Sequence, residues 1–131
     1  MTLCDQEVLC SIDIVAMELR RGKDALAQWA KSHPSLFKSV DNEAVFPHYA
    51  AVVEWVQHSA QFHASAKQAF QDGADGWIVA YAIAFSSVVV TQEVFKHDVK
   101  RQVPIPNVCQ QFHVPYCDTF EMIRASGIKF F

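Results

Sequence analysis

The 131-residue sequence is poor in charge and in glycine. Lys, Arg, Asp and Glu make up 19% of it, the formal net charge is -3, and there are only four glycines. The small acidic net charge argues against nucleic-acid binding through a broad basic surface, although a local basic patch stays open. So few glycines leave no glycine-rich loop of the kind that cradles phosphate groups. These shortages set aside P-loop proteins and strongly basic binding modules.

Several other chemical patterns are missing as well. The four cysteines form no Cys-x-x-Cys pair, no two of the six histidines stand four apart as in a helical zinc site, and no Ser-His-Asp arrangement is apparent. Apolar runs such as Trp77 to Phe85 are too short to cross a bilayer, and no basic export signal opens the sequence. We therefore expect a cytoplasmic protein with reduced cysteines and no membrane span.

What the sequence has in abundance is apolar material. Hydrophobic residues make up 51% of it and include ten phenylalanines and three tryptophans. A chain of this length can bury about two-thirds of its unfolded surface, so it needs neither disulfides nor structural metals to fold. We expect one domain over residues 1–131.

Short apolar runs alternate with segments of helical periodicity. The predicted strands are an end near Val8 to Cys10, an edge strand within Leu36 to Val40, Val88 to Thr91, and Pro115 to Cys117. The predicted helices are Ser11 (as N-cap) to about Arg21, Lys23 to Ser32, one from about Pro47, about Ala60 to Phe70, Gly76 to Phe85 with Asp75 at its start, Asn107 to Phe112, and Thr119 to Ser126. The β-branched run from Val88 is typical of a strand buried on both faces. The alternation predicts an α/β domain with a short, mainly parallel sheet flanked by many helices.

Three acids follow or begin apolar elements in a suggestive order. These are Glu18, Asp75 and Glu93. Clustered carboxylates bind hard divalent cations such as Mg²⁺ or Mn²⁺, and such a metal can activate water and neutralise a phosphodiester. Each acid also has a simpler interpretation: Glu18 as a solvated helix residue, Asp75 as an N-cap, and Glu93 as a loop acid.

The segments around these acids resemble the acidic motifs of PIN domains, which include the VapC-type toxin ribonucleases. S-I-D-I-V-A-M-E-L resembles the motif of the second acid, A-D-G-W-I-V-A-Y-A that of the third, and V-V-V-T-Q-E that of the fourth, with Glu93 in place of the usual Asp. The downstream I-P-N-V-C-Q-Q-F and D-T-F-E-M-I-R resemble a PIN-like family of unknown function. The resemblance covers nearly the whole chain and implies a three-layer PIN-like fold.

The resemblance is incomplete at its start. PIN domains open with a strand that ends in a D-T-N or D-S-N type motif, whose Asp is a metal ligand, and no such motif occurs here. We therefore expect an N-terminally incomplete PIN-like domain that lacks the central strand of the family's sheet. Glu18, Asp75 and Glu93 are then the implied metal ligands and catalytic acids, with Mg²⁺ or Mn²⁺ as the implied cofactor.

Basic residues lie near two of these acids. Arg20, Arg21 and Lys23 follow Glu18, and a second set beyond Glu93 consists of Lys96, Lys100 and Arg101. Either set could hold RNA phosphates beside the acids, or could be solvated charge at helix ends and in a loop.

The resemblance implies a toxin–antitoxin protein whose family activity is metal-dependent endonucleolytic cleavage of RNA. We expect that activity to be weak or absent without the first acid. The alternative is a non-catalytic protein that uses the same scaffold to bind an antitoxin or itself. An open strand edge beside a missing strand favours a homodimer or larger oligomer, with Trp77, Tyr81 or Tyr49 near the contact.

Overall fold

The computed structural model describes residues 11–12, 37–38 and 43–126, and the chain divides into two compact units, residues 1–42 and 43–131. In the first unit, strand β1 (Ser11–Ile12) pairs in parallel with strand β2 (Phe37–Lys38). The edge strand predicted within residues 36–40 is confirmed. The predicted helix start at Ser11 is wrong, because the backbone of Ser11 pairs with Phe37 in a strand. The rest of the helices predicted before residue 33 and the strand near residues 8–10 lie outside the described residues.

The second unit combines helices with a parallel strand pair. Its helices are α1 (Phe46–His58), α2 (Ala64–Asp72), α3 (Asp75–Phe85), α4 (Ile105–Gln111) and α5 (Thr119–Ser126). Strands β3 (Val89–Val90) and β4 (Tyr116–Cys117) are parallel, with Val89 opposite Tyr116 and Val90 opposite Cys117. The predicted α/β class with parallel strands is confirmed. Whether residues 1–131 form one domain stays a prediction.

Local sequence explains where most of these helices begin and end. Pro47 stands in the first turn of α1, where a missing N–H costs nothing. The predicted start of α2 near Ala60 is wrong: the helix begins at Ala64, because His63 is extended and its N–H donates to the Lys100 carbonyl at 2.8 Å. Helix α3 ends at Ser86, which takes the left-handed conformation with φ 52°.

The core of the second unit lies where α1 and α3 pack together. Gly76 allows this close approach, because a Cβ there would stand 3.2 Å from the Tyr49 ring and 3.1 Å from the Phe70 ring. Helix α4 also packs against α3, so that α1, α3 and α4 contribute to one hydrophobic core. The buried core residues include Val52, Val56, Phe62, Phe70, Val79, Ala82, Val89, Ile105, Val108, Cys109 and Val114.

The strand β3 is shorter and more exposed than the sequence suggests. Val89 is 4% exposed and belongs to the core, whereas Val88 is 55% exposed. The predicted burial of residues 88–91 on both faces is therefore wrong: Val89 lies in the core, Val88 is exposed, and Val90 and Thr91 are half-buried. Among the described residues, no helix is long and apolar enough to cross a membrane.

Candidate functional site

Glu93 lies just past the carboxyl end of strand β3 and is held at two points. Its backbone N–H donates to Thr91 Oγ1 at 3.1 Å, and its carboxylate Oε2 accepts a hydrogen bond from the Ile105 N–H at 3.1 Å. The side chain is half-buried. Glu93 is therefore anchored to the first residue of α4 and is more than an ordinary loop acid.

The start of α4 explains why this anchor matters. The first N–H groups of a helix lack partners within the helix. Here Pro104 and Pro106 have no N–H at all, and the Asn107 N–H donates to the Pro104 carbonyl at 3.1 Å. The Ile105 N–H is thus the donor that needs a partner from outside the first turn, and Glu93 supplies it. A carboxylate at this end also interacts favourably with the helix dipole.

Asn107 attaches the same helix to the middle of the loop formed by residues 91–104. Its side chain is buried, with 7% exposure, and it bonds to both backbone groups of Lys96. Nδ2 donates to the Lys96 carbonyl at 2.9 Å, and Oδ1 accepts from the Lys96 N–H at 3.1 Å. The amide therefore satisfies a donor and an acceptor of a loop that has no strand partner there.

Two further hydrogen bonds hold the other side of this loop. Gln61 Nε2 donates to the Val99 carbonyl at 2.7 Å, and the His63 N–H donates to the Lys100 carbonyl at 2.8 Å. Residues 91–104 thus run between helix α4 and the segment that joins α1 to α2, and they are bonded to both. The basic residues Lys96, Lys100 and Arg101 lie on this loop with exposed side chains.

Asp75 is the first residue of α3, and Ala74 occupies the N-cap position. The N-cap interpretation of Asp75 is therefore wrong by one residue. A carboxylate in the first helical turn still interacts favourably with the helix dipole. The side chain is half-buried, and its neighbour Gly76 lies against Phe70 and Tyr49. Asp75 consequently stands at a fixed end of the most apolar helix of this unit.

The predicted set of three acids is only partly visible. Glu18 lies outside the described residues, as do Arg20, Arg21 and Lys23. Within residues 11–12, 37–38 and 43–126, no group of three or more His, Cys, Asp or Glu side chains is arranged to hold a metal ion. The structure therefore does not test whether Glu18 approaches Asp75 and Glu93, and the set stays a prediction.

The donor chemistry of the visible acids suits a hard cation. Both offer carboxylate oxygens, which Mg²⁺ and Mn²⁺ prefer. The hydrogen bond from Ile105 engages one oxygen of Glu93 and leaves Oε1 able to bind a cation. Carboxylate ligands are commonly oriented by such hydrogen bonds from a second layer of groups. The geometry of Glu93 thus fits a metal ligand as well as a helix anchor.

An open cleft of about 450 Å³ lies where the loop 91–104 meets helices α1 and α4. Its walls come from α1, the segment after it, the loop 91–104 and α4, and its character is aromatic and polar rather than purely apolar. The lining residues are Trp55, Gln61, Phe95, His97, Asp98, Lys100, Asn107, Gln110 and Gln111. Loop and helix meet at this cleft because Asn107 bonds them together.

Comparison with known proteins gives one family. The model of a family described as Domain of unknown function (DUF4411) matches residues 1–130. The chain belongs to the DUF4411 family. No curated protein and no solved structure matches it at a significant level. Membership in DUF4411 thus establishes a family relationship over almost the whole chain, while the function has to be argued from the residues.

Sequence reasoning missed the cleft of this DUF4411 chain. Its lining residues are scattered from Trp55 to Gln111, so no local motif joins them. The signal that could have indicated it is the loop after Glu93, which carries Phe95, His97 and Lys100 between strand β3 and helix α4. Long loops of this kind within a small unit are commonly functional.

The described cysteines offer no nucleophile for this site. Cys109 is fully buried, and burial raises its thiol pKa to about 12. The pKa of Cys117 is also raised, by its burial and by the negative charges of Glu121 and Asp118. Thiols with raised pKa values stay protonated at neutral pH and react slowly. Neither Cys109 nor Cys117 is therefore activated as a nucleophile.

Proposed function

We propose that this chain is a PIN-like protein of the toxin–antitoxin type whose activity is Mg²⁺- or Mn²⁺-dependent endonucleolytic cleavage of RNA. The observation that carries the proposal is the position of Glu93. It follows the carboxyl end of a parallel strand, where α/β folds place their sites, and a helix N–H fixes its carboxylate. The order of the segments around Glu18, Asp75 and Glu93 supplies the resemblance to PIN domains.

In this proposal Glu18, Asp75 and Glu93 hold the divalent ion through carboxylate oxygens. When bound, such an ion supplies charge neutralisation at the phosphodiester and an acidified water. Glu93 contributes an oxygen whose direction is set by Ile105. The first acid of the PIN pattern is not among these 131 residues. We therefore expect the 131 residues alone to bind metal weakly and to cleave RNA weakly. The proposed setting is the reducing cytoplasm, where an antitoxin would control the protein.

The test is RNA cleavage by matched variants in Mg²⁺ and in Mn²⁺. Asp75→Asn removes the charge of a proposed ligand with little change in shape, and Asp72→Asn removes a charge from the exposed end of α2 as the control. We expect the weak cleavage to disappear in the first variant, because loss of a ligand removes the positioned metal, and to stay unchanged in the second. A longer chain, extended ahead of residue 1 by a strand ending in Asp-Thr-Asn, should cleave faster than the 131 residues. Equal cleavage by wild type and Asp75→Asn would refute the site.

The second candidate function is non-catalytic self-association or antitoxin binding. What favours it is exposed aromatic and aliphatic surface. Phe46 is 45% exposed and packs edge-on against Trp77, which stacks on Tyr49 with ring centroids 3.6 Å apart. Other large exposed apolar side chains are Phe85, Val88, Val94 and Phe120. An aromatic cluster with an exposed ring, such as Phe46–Tyr49–Trp77, is the kind of surface that protein contacts use.

Light scattering across a dilution series tests the association. We propose a homodimer or larger oligomer with the Phe46–Tyr49–Trp77 cluster near the contact. Phe46→Ser should then shift the protein toward monomer, whereas Phe120→Ser, which removes a more exposed ring from α5, should not. A folded monomer at every concentration would refute the proposal for this surface.

A further inference from the structure

The cleft between the loop 91–104 and helices α1 and α4 has walls of mixed chemical character. Two aromatic rings, Trp55 and Phe95, line it together with four side-chain amides and one lysine. A purely apolar groove would suit a lipid or an apolar helix, and a purely charged one would suit an ion. Flat rings together with groups that both donate and accept hydrogen bonds suit a planar polar ligand.

Two aromatic neighbours hold the Trp55 side chain in place. It is half-buried and meets Phe62 and Phe112 in edge-to-face contacts, with centroid distances of 6.1 Å and 6.2 Å. Contacts on two sides fix the plane of the indole before any ligand arrives. A fixed aromatic surface binds a stacking ring at little entropic cost.

The amides in the cleft divide into used and available groups. Both polar side-chain atoms of Asn107 are hydrogen-bonded to the Lys96 backbone, and Gln61 Nε2 donates to the Val99 carbonyl. Gln110 donates to Tyr116, so its carbonyl oxygen stays available. Within the part of the chain that the structure describes, the Gln111 amide makes no hydrogen bond, so it can both donate and accept. The first set builds the walls, and the second can bind a ligand.

The charges around the cleft favour an anionic backbone attached to that planar ring. The loop segment from Lys96 to Arg101 carries three basic side chains and one acidic one, Asp98. Lys100 lines the cleft, and Arg101 follows it directly. Asp98 Oδ1 is bonded to Nδ1 of its neighbour His97 at 3.0 Å, so its other carboxylate oxygen is the one that can accept from an exocyclic amino group. This local positive charge stands out in a chain whose formal net charge is -3.

We propose that this cleft binds a nucleobase of single-stranded RNA, stacked on Trp55, with Gln110 and Gln111 at its polar edge and Lys100 on the adjoining phosphate. Unstacked bases of single strands are recognised in this way, by aromatic stacking and by hydrogen bonds to base edges. The inference rests on the proposed function for the identity of the ligand. The cleft and the proposed acid Glu93 share helix α4, since Ile105 bonds to Glu93 and Gln110 and Gln111 line the cleft.

The experiment measures binding without chemistry. Fluorescence anisotropy of a fluorescein-labelled single-stranded octaribonucleotide is followed in EDTA, which removes divalent ions and so separates binding from cleavage. We expect Trp55→Leu to weaken binding about 10-fold or more, because stacking on one aromatic ring contributes strongly to each base. Lys100→Gln should lower the slope of log affinity against log salt by about one. A duplex of the same sequence should compete poorly, since its bases are already stacked.

Matched controls keep the result interpretable. Gln111→Ala in the cleft should weaken binding. Lys67→Gln is the control for Lys100→Gln and Gln57→Ala is the control for Gln111→Ala; both lie outside the cleft and should leave binding unchanged. Trp55 contacts the core, so its variant is checked by circular dichroism. The exposed positions Lys100 and Gln111 test the idea even if Trp55→Leu unfolds.

The outcomes separate this inference from the proposed function. Binding in EDTA that depends on the cleft residues, without cleavage in Mg²⁺ or Mn²⁺ even by the chain extended with the Asp-Thr-Asn strand, would support the cleft and refute the nuclease. Cleavage that depends on Asp75, with binding unaffected by Lys100→Gln and Gln111→Ala, would overturn the cleft and leave the nuclease. Absence of any binding to the octaribonucleotide would overturn the cleft as well.

Discussion

The hydrogen bond between Glu93 and Ile105 makes the two roles of this acid separable. Glu93→Ala removes the acceptor and leaves the N–H of a buried residue, 6% exposed, without a partner. Losing a cap costs about 0.5–2 kcal/mol, and stranding a buried donor costs about 1–3 kcal/mol. Glu93 is half-buried, so water can reach part of the gap. We expect the free energy of unfolding to fall by about 1–2 kcal/mol.

Glu93→Gln keeps a carbonyl oxygen at the same reach and removes the charge. The bond to Ile105 can then persist, and what is lost is the interaction between the carboxylate and the helix dipole, about 0.3–1 kcal/mol at an exposed site. We expect a loss of stability under about 1 kcal/mol. Because α4 is only seven residues long, it depends on such anchors more than a long helix would.

Urea unfolding followed by circular dichroism, together with calorimetric Mn²⁺ titration, gives the two readouts. If Glu93 both anchors α4 and binds metal, the Gln variant should keep its stability and lose Mn²⁺ affinity, and the Ala variant should lose both. An Ala variant as stable as wild type would show that the anchor contributes nothing. Unchanged Mn²⁺ affinity in the Gln variant would remove Glu93 from the proposed ligands.

Two further predictions concern the interior of the second unit. Asn107→Ala should lower the free energy of unfolding by about 2–3 kcal/mol in urea titrations, because two hydrogen bonds of about 1 kcal/mol each are lost and the Lys96 backbone is left partly unpaired; Gln57→Ala, an exposed helical change, should cost far less, and equal losses would contradict the argument. Burial raises the pKa of Cys109 from 9.0 to about 12, so the folded state favours the neutral thiol. Its stabilising effect is complete below about pH 9 and is lost as the pH rises toward 12. The midpoint temperature of unfolding should therefore fall less steeply between pH 8 and 11 in Cys109→Ala than in wild type. Val108→Ala, which truncates a buried side chain of α4 without removing a titrating group, is the control, and parallel curves for all three proteins would refute this.

Elements with local signals could be predicted from the sequence. Helix α5 begins and ends as expected at Thr119 and Ser126, and Asp118 and Glu121 exchange backbone-to-side-chain bonds at its start, with Glu121 N–H to Asp118 Oδ1 at 2.8 Å. Such a capping box is written within four residues. The first turn of α1 is similarly marked by Pro47.

Elements decided by distant contacts could not be predicted in this way. Ser11 has the residue type of an N-cap, but pairing with a strand 26 positions away (11 to 37) overrides that preference. The start of α2 is set by the bond from His63 to Lys100. The anchoring of α4 by Glu93 crosses 12 positions, outside the reach of capping patterns. The acids of the candidate site could therefore be named from their motifs, whereas the cleft could be recognised only from the folded structure.

The loop 91–104 also determines how a protease would meet this protein. It offers trypsin three exposed basic residues, Lys96, Lys100 and Arg101, on a segment without helix or strand. A protease needs several residues to leave the surface together, yet the backbone is bonded at Lys96, Val99 and Lys100. Cutting in the native state therefore requires local opening. Once nicked, the two ends would remain attached, one to α4 and the other to the segment before α2, so the cleaved protein should still migrate as one folded particle.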